Sequence, residues 1–327
     1  MPDFNFKKYL NPQALAGALN KMPPLHTPIM DLIYPESAQV NHPFDTIGYE
    51  DLASTIKNIP LVTRGGQSYA LSLDDNKLKW IDPANLNPSH FVKAADLNRL
   101  RNLPDQAVQA YINKKIDKLR RAIRKSKEAM AAQSLGGKIS YDLSTRNGGI
   151  VKYEVNFGSV QTHTISTKWD AQGATPGKMV ADLGKMMGKI SAKSDAARFI
   201  ALVDFDTFGV MTDLCGQAKS TLPIVVSTDK IKIGSLEIYP VAGTYLDYST
   251  GNTVPVVAAK KIKVIGLDDN FQFFNCALDS LDANFAGIPF GIREVKKDDP
   301  EGIDLIAMAR PMPVPNVDAI CDATVLT

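Results

Sequence analysis

One uninterrupted helical segment constrains this chain more than any other feature. From Asp105 to Leu135 the sequence has no glycine or proline. The pattern predicts a helix over residues 104–135, about 48 Å long, in a chain whose compact form would have a radius of gyration of about 20 Å. A helix of nearly the full diameter favours an assembly subunit with a spine over a globule built around a pocket. The apolar stripe of this helix consists of Val108, Ile112, Ile116, Leu119, Ile123 and Met130.

The remaining surface of the same helix is basic. The whole chain has a net charge of only +2, so this basic surface is a local feature. Such a surface either contacts nucleic-acid phosphates without sequence specificity or is simply solvated. A non-specific DNA-binding module is therefore one alternative for the function of the chain. The charged residues are Lys114, Lys115, Lys118, Arg120, Arg121, Arg124, Lys125 and Lys127, against Asp105, Asp117 and Glu128.

Composition narrows the class of protein without identifying it. The chain has 327 residues, of which 44% are apolar and 22% charged, as is ordinary for a globular protein of about two domains. Its three cysteines, Cys215, Cys276 and Cys321, form no CxxC pair, which argues against a disulfide framework or a zinc ribbon. No apolar run approaches the ~18 residues that span a bilayer, and the N-terminus lacks the apolar core of a signal peptide. We expect that the chain has no membrane-spanning segment and that it resides in a reducing cytoplasm.

The first 85 residues predict two appendages. Residues 1–45 form a proline-rich arm with too little apolar pattern for a core of its own. Residues 46–85 predict a long hairpin that turns at Arg64-Gly65-Gly66, where glycine permits a positive φ. Because a two-stranded ribbon is marginal alone in water, both appendages need a surface to lie on. This favours an intermolecular role, and the alternative is that both fold back over their own core.

The rest of the chain alternates between helical and strand patterns, which predicts an α+β fold. The predicted elements are a hairpin over 137–157, a helix over 176–192, a buried strand over 199–203, a short helix ending near 218, strands over 223–226, 231–241, 254–257 and 261–265, and a last strand pair over 303–310 and 319–326 around a turn-rich segment at 311–316.

Asp204-Phe205-Asp206-Thr207 is the one segment with an enzyme-like pattern. An Asp-x-Asp-Thr sequence directly after an apolar strand resembles the nucleophile motif of haloacid-dehalogenase-type phosphotransferases. There Asp204 would attack phosphorus and Asp206 would protonate the leaving group. The spacing argues against this, because only about twenty residues separate this motif from the next candidate residues, Ser227 and Thr228, which leaves little room for the crossovers of a doubly wound sheet. The alternative is that these aspartates cap a helix or stabilise a turn. We expect that the chain is not an enzyme.

Signals for cofactors and metals are lacking in the sequence. It contains no GxxxxGK[ST], GxGxxG or GxSxG motif. The four histidines, His26, His42, His90 and His163, share no metal-ligand spacing. We therefore expect neither a cofactor nor a metal site.

Taken in chain order, a series of segments resembles a known family. They are Leu32-Ile33-Tyr34-Pro35, then IPLVTRGG and DPANLNPSHFVKAADL, SLGGKISY after the long helix, KYEVNFG, ISTKWDAQGATPGKMVADL, IYPVAGTYLDYSTGNTVPVVAAKKIKVIG and RPMPVPNVDAICDATVL. Together they resemble the tailed-phage major capsid proteins of the lambda-like E family, which have the Hong Kong 97-type capsid fold. The likeness extends over nearly the whole chain.

The resemblance implies a division of the chain into the parts of that fold, with the arm and the hairpin lying across neighbouring subunits. The implied parts are an N-arm (1–45), an E-loop hairpin (46–85), a peripheral domain (86–175, with the spine helix at 104–135), an axial domain (176–289) and a return to the peripheral domain (290–327).

The resemblance also implies a function and partners. The chain would self-assemble as hexamers and pentamers into the icosahedral head shell that encloses the double-stranded DNA of a tailed bacteriophage or prophage. It would reside in the virion after assembly in the host bacterial cytoplasm, with a portal and a decoration protein at three-fold sites as partners. Because only about 45 proline-rich residues precede the E-loop, we expect a separate scaffolding protein. An encapsulin-type nanocompartment shell is the alternative.

Two sets of residues follow as candidate contacts. The tip of the E-loop is predicted to contact a neighbouring capsomer, and the basic face of the spine helix is predicted to face the lumen near DNA. The tip residues are Arg64, Gly65, Gly66, Gln67 and Ser68, and the basic-face residues are Lys114, Lys118, Arg121, Arg124 and Lys125.

Overall fold

A computed structural model describes residues 25–49, 79–144, 149–217, 224–247, 250–268, 270–279 and 287–327. Among these residues the helices are α1 (Pro28–Leu32), α2 (Ala94–Arg101), α3 (Asp105–Ser134), α4 (Pro176–Ser191) and α5 (Phe205–Gly216). The strands are β1 (Gln39–Asn41), β2 (Ile47–Tyr49), β3 (Lys79–Ile81), β4 (Ser89–Lys93), β5 (Lys138–Ser144), β6 (Ile150–Asn156), β7 (Gln161–Thr162), β8 (Arg198–Val203), β9 (Ile224–Val226), β10 (Ile231–Ile233), β11 (Leu236–Pro240), β12 (Thr244–Asp247), β13 (Asn252–Pro255), β14 (Lys261–Leu267), β15 (Gln272–Asn275), β16 (Gly291–Asp298), β17 (Glu301–Met308), β18 (Pro311–Val314) and β19 (Ile320–Thr324).

The long helix predicted over 104–135 is α3. All six side chains of its apolar stripe are buried, and none is more than 6% exposed. The helix ends at Ser134 because two glycines follow, of which Gly137 takes a φ of 82°. A Cβ atom on Gly137 would lie 2.2 Å from the carbonyl oxygen of Gly158, so this position requires glycine.

The buried stripe of α3 packs on an antiparallel three-stranded sheet. β16 and β17 form a hairpin, and β17 pairs on its other side with β4. Because side chains of a strand alternate between faces, one face of this sheet presents Ile292, Leu305 and Val92. These residues form one core with the stripe residues Ile112 and Ile116. One face of the spine helix is thus fixed against the sheet.

A seven-stranded mixed sheet has the order β7-β19-β14-β8-β11-β10-β9. Its central strand β8 pairs in parallel with β11 and antiparallel with β14. α4 packs against β14 and β19, and α5 packs against β11 and β9. α4 begins at Pro176 because the Thr175 side chain accepts a hydrogen bond from the N–H of Lys178 and proline suits the first turn.

The chain divides into two compact units, each assembled from three separate stretches of sequence. One unit takes its described residues from Met1–Thr46, Asp82–Ala131 and Gln272–Pro313, and the other from Ile47–Ile81, Ala132–Phe271 and Val314–Thr327.

Three predicted elements take a different form. The single strand predicted over 231–241 is the hairpin β10–β11, because Gly234 takes a φ of 59° and reverses the chain. The segment predicted as a turn at 311–316 contains β18, whose prolines are tolerated because it is an edge strand. The strands predicted as a last pair over 303–310 and 319–326 join different sheets, since β17 pairs with β16 and β4 while β19 pairs with β14 and β7.

The described part of the arm lies on its own chain. Ile29, Met30, Ile33 and Tyr34 are at most 2% exposed, and β1 pairs in parallel with β15. Residues 25–41 therefore fold back over their own core, which differs from the expectation that the arm needs a neighbouring subunit to lie on. Apolar burial explains the difference, because these four side chains would otherwise be left in water.

The ends of the predicted first hairpin are paired. β2 and β3 form an antiparallel ladder in which Ile47 lies opposite Ile81. The rest of this hairpin, with its turn and its return strand, lies outside the described residues.

Candidate nucleic-acid and assembly surfaces

Four basic side chains line the face of α3 that points away from its buried stripe. Lys114, Lys118, Arg121 and Lys125 follow one another at intervals of four, three and four residues, which stacks them along one face of a helix. All four are exposed. This set, which we term the basic stripe, is a cationic row about 16 Å long at 1.5 Å per residue. Such a row can contact successive phosphates without reading bases.

Among the described residues, one member of the basic stripe has an acidic partner. Asp117 accepts hydrogen bonds from Nε of Arg121 at 2.7 Å and from Nη2 of Arg120 at 3.1 Å. Partial burial raises the pKa of Asp117, but the two arginine hydrogen bonds together outweigh it and hold this pKa below its ordinary value. The pKa of His90 is lowered, first by burial and then by lysines of α3 that include Lys118. The field around the stripe is therefore positive.

Arg124, the fifth residue predicted for the DNA-near face, is directed at the arm. Its Nε donates to Oγ1 of Thr27 at 2.7 Å, and its Nη2 donates to Oδ1 of Asp31 at 2.7 Å. Its side chain is 26% exposed. The charge of Arg124 is thus already paired within the chain, which distinguishes it from the basic stripe.

Glu128, one turn further along α3, holds the beginning of α1. Its Oε1 and Oε2 accept hydrogen bonds from the backbone N–H groups of Ile29 at 2.8 Å and Met30 at 2.9 Å. The side chain of Thr27, at the N-cap of α1, makes no capping hydrogen bond. The distant carboxylate therefore caps this helix. Burial raises the pKa of Glu128 above its ordinary value, although the two N–H groups oppose that effect.

Lys127 is buried, which corrects its assignment to the solvated basic surface. It is 5% exposed, and its Nζ donates to Oδ1 of Asn275 at 3.0 Å and to the carbonyl oxygen of Pro289 at 2.9 Å. Burial lowers the pKa of Lys127 to about 7. The sequence held the signal for this position, because Lys127 follows Ile123 by four residues and precedes Met130 by three, which places it on the apolar stripe.

A buried arginine holds the chain just after β3. Arg310 is 7% exposed and donates from Nη2 to Asp82 at 2.6 Å, from Nε to the carbonyl oxygen of Pro83 at 2.8 Å, and from Nη1 to Asp279 at 3.1 Å. Asp82 and Pro83 are thereby held within the same compact unit as Arg310. Sequence reasoning missed Arg310, since no local pattern distinguishes it. The predicted tip contact, formed by Arg64, Gly65, Gly66, Gln67 and Ser68, lies outside the described residues.

Asp204 serves the start of α5. It occupies the N-cap position, its carbonyl oxygen accepts from the N–H of Phe208, and its carboxylate accepts from the hydroxyl of Thr207. Asp206 is exposed in the first turn. The preceding strand β8 has one antiparallel neighbour, unlike a strand of a doubly wound parallel sheet. Asp204 thus occupies the N-cap position without a side-chain capping hydrogen bond, and its carboxylate is engaged by Thr207 within the same turn.

Two further observations concern the described part of the chain. No three His, Cys, Asp or Glu side chains within it are grouped so that they could hold a metal ion. None of its helices is both long and apolar enough to cross a membrane.

Solved structures define the class of fold. A crystal structure from a prophage of E. coli CFT073, described as a capsid protein, superimposes with a TM-score of 0.63 at 15% identity, covering 97% of this chain and 99% of that one. A phage-related protein of Bordetella bronchiseptica RB50 superimposes with a TM-score of 0.56 at 9% identity, covering 96% of each chain. The fold is a Hong Kong 97-type capsid fold of the α+β class, as the sequence predicts.

The family follows from the sequence match. The family described as phage major capsid protein E matches residues 11–325. The chain therefore belongs to the phage major capsid protein E family, and it is a shell-forming structural protein of the phage capsid. A comparison with curated proteins finds no match. The resemblance stated from the sequence is confirmed for both family and fold.

Proposed function

We propose that this protein builds the icosahedral head shell around the double-stranded DNA of a tailed bacteriophage or prophage, as hexamers and pentamers assembled in the host bacterial cytoplasm. The observation that carries the proposal is the family match over residues 11–325. In its fold, each compact unit is built from three separate stretches of the same chain. Head-to-tail contacts between such subunits close only at the right curvature.

The first test is the assembly state of the purified chain, examined by negative-stain electron microscopy and sedimentation. We expect closed polyhedra, tubes, or rings of five and six. A chain that stays monomeric at high concentration, both alone and with the scaffolding protein of its phage, would contradict the proposal. The contents of recovered shells distinguish a phage capsid from the encapsulin-type alternative, because an encapsulin-type shell would enclose a cargo protein instead of DNA.

The proposed domain division assigns residues 86–175 and 290–327 to a peripheral domain and 176–289 to an axial domain. The hairpin at 46–85 would contact the next capsomer through its tip. Deletion of residues 64–68 should leave a folded subunit that cannot close shells, because the contacts of Arg310 with Asp82 and Asp279 do not involve the tip. Normal shells from the deletion variant would exclude the tip as a required contact.

For the lumenal face we propose that the basic stripe contacts DNA phosphates, with Arg124 contributing less because Asp31 already pairs with it. Each phosphate contact adds about 0.9 to the slope of log affinity against log salt concentration. Replacing Lys114 and Lys118 by glutamine should therefore lower that slope by about 2 for double-stranded DNA. The matched control replaces the exposed Lys185 and Lys296 by glutamine and should leave the slope unchanged.

The remaining partners are proposed from the family alone: a separate scaffolding protein, a portal and a decoration protein at three-fold sites. Correctly sized shells formed by this chain with no other phage protein would contradict the need for a scaffold. We also propose that the protein is not an enzyme. Magnesium-dependent hydrolysis of p-nitrophenyl phosphate that is lost in Asp204→Asn would overturn this.

A further inference from the structure

The basic stripe is bordered on one side by charges that are already paired. At about 100° of rotation per residue, Asp117, Arg120 and Arg124 lie on one flank of the row. Asp117 accepts a hydrogen bond from Arg120, and Asp31 accepts one from Arg124. The side chains of these two arginines are only 19% and 26% exposed. Within the described residues, this flank therefore offers no second row of cations.

The opposite flank carries a single charge. By the same rotation, its positions are held by Tyr111, Lys115, Ala122 and Ser126. The Nζ atom of Lys115 lies 5.1 Å from the centre of the Tyr111 ring, in a cation–π contact that keeps this charge close to the helix surface. The row of exposed cations is thus one side chain wide.

The dimensions of the row match one strand of a nucleic acid. From Lys114 to Lys125 the row is about 16 Å long, and each strand of DNA carries one phosphate per about 3.4 Å of helix axis. The row therefore lies beside about five consecutive phosphates of one strand, so its four cations can each meet a different phosphate. A contact with both strands needs cations on both sides of a groove about 6–12 Å wide, and neither flank supplies them.

We infer that the basic stripe is a contact for a single nucleic-acid strand, which binds consecutive phosphates of one backbone and requires neither the second strand of a duplex nor a deoxyribose sugar. The inference rests on the proposed contact between the stripe and DNA phosphates and names the class of ligand more closely. This class is polynucleotide in general, single-stranded or double-stranded, DNA or RNA. A choice of double-stranded DNA as the content of the shell is then made at another step.

The test is fluorescence anisotropy with the unassembled full-length chain and three labelled probes of equal length: oligothymidylate, a DNA duplex of mixed sequence and oligouridylate. At equal salt we expect dissociation constants within about tenfold of one another, because the contact is the same in all three. Joint replacement of Lys114 and Lys118 by glutamine should lower the salt slope by about 1.4 for both single strands and by about 2 for the duplex.

Two controls accompany this variant. Joint replacement of Lys114 and Lys118 by arginine keeps both charges, and it should leave all three slopes unchanged. The glutamine variant at the exposed Lys185 and Lys296 removes the same amount of charge away from the row, and it should also leave the slopes unchanged.

The outcomes separate the inference from the proposed function. Binding of the duplex without binding of either single strand, or a loss of slope confined to the duplex, would overturn the inference and leave the DNA contact intact. Binding of oligothymidylate but not oligouridylate would also overturn it, since the sugar would then matter. If the unmodified chain bound none of the three probes, or if the glutamine variant at Lys114 and Lys118 changed no slope, the proposed DNA contact of the stripe would itself be refuted.

Discussion

The two halves of the spine helix carry similar charges, but in the second half only Lys125 remains exposed while the other charged side chains bond within the chain. Between Asp105 and Arg121 the lysines of the basic stripe are exposed, and their helix face is covered by nothing in the described residues. Beyond Ala122, Arg124, Lys127 and Glu128 are at least half-buried and bonded to named partners. A charged residue on a helix is therefore not by itself a sign that its side chain is exposed to solvent. Whether a charged side chain of the helix is exposed depends on which other segments of the chain pack against that turn.

The largest expected effect tests whether the first half is held by its apolar side alone. Ile116→Ala should lower the free energy of unfolding by about 2–5 kcal/mol, because Ile116 is 1% exposed and its removal leaves a cavity. Lys118→Ala, two residues away on the exposed face, should change it by less than about 0.5 kcal/mol. Urea denaturation followed by circular dichroism measures both. Equal losses would mean that the basic stripe also contributes to the fold.

A smaller effect, specific to the second half, is the pH dependence of stability. The pKa of Lys127 is about 7 in the folded chain and near 10.5 in the unfolded chain, so the unfolded chain binds more protons between these values. Stability should therefore rise by about 1–2 kcal/mol from pH 7 to pH 8.5 on account of this group. Lys127→Met should remove that part of the rise.

Burial lowers the pKa of Lys263 in the same direction, so some rise should remain in Lys127→Met. The measurement is chemical denaturation of both proteins at the two pH values, with Lys125→Met as the exposed control. An unchanged pH dependence in Lys127→Met would show that Lys127 is charged and paired in the folded chain.

The smallest expected effect concerns the ion pairs of the first half. Asp117→Asn should lower the free energy of unfolding by about 0.3–1 kcal/mol, and the loss should shrink as salt is added. The control is Asp96→Asn, whose partner Arg99 lies 3.9 Å away with an 83% exposed side chain, and no loss is expected. A loss in Asp117→Asn that does not depend on salt would indicate a buried role for this carboxylate. Thermal denaturation at two ionic strengths distinguishes these results.

Local spacing predicted most of the spine helix. The apolar stripe and the glycines after it follow from residue type and period, and the structure places them as expected. The same spacing placed Lys127 on the apolar stripe, but a lysine among charged neighbours was interpreted as solvated. Its burial is explained by two acceptors that are distant in sequence, Asn275 and Pro289, 148 and 162 positions away.

The arm and the late strands show why the rest could not be predicted. Nothing near Ile29 or Tyr34 in the sequence indicates which surface covers them, because that surface comes from α3 and β15. The burial of the Arg310 charge is likewise explained by Asp82 and Asp279, which are distant in sequence and close in space. The prolines of β18 predicted a turn because an edge position in a sheet is a property of the sheet and not of the segment.

The pairing of β1 with β15 has a consequence for how the chain is made. Asn41 and Asn275 are 234 positions apart, so the parallel ladder that seats the arm cannot form until most of the chain has left the ribosome. At 5–20 residues per second this interval is about 12–47 s. Throughout that time Tyr34 lacks Phe273 of β15, the ring that packs against it in the folded chain, although Tyr34 was synthesised first. A nascent subunit therefore exposes its arm to the cell before it can close over it.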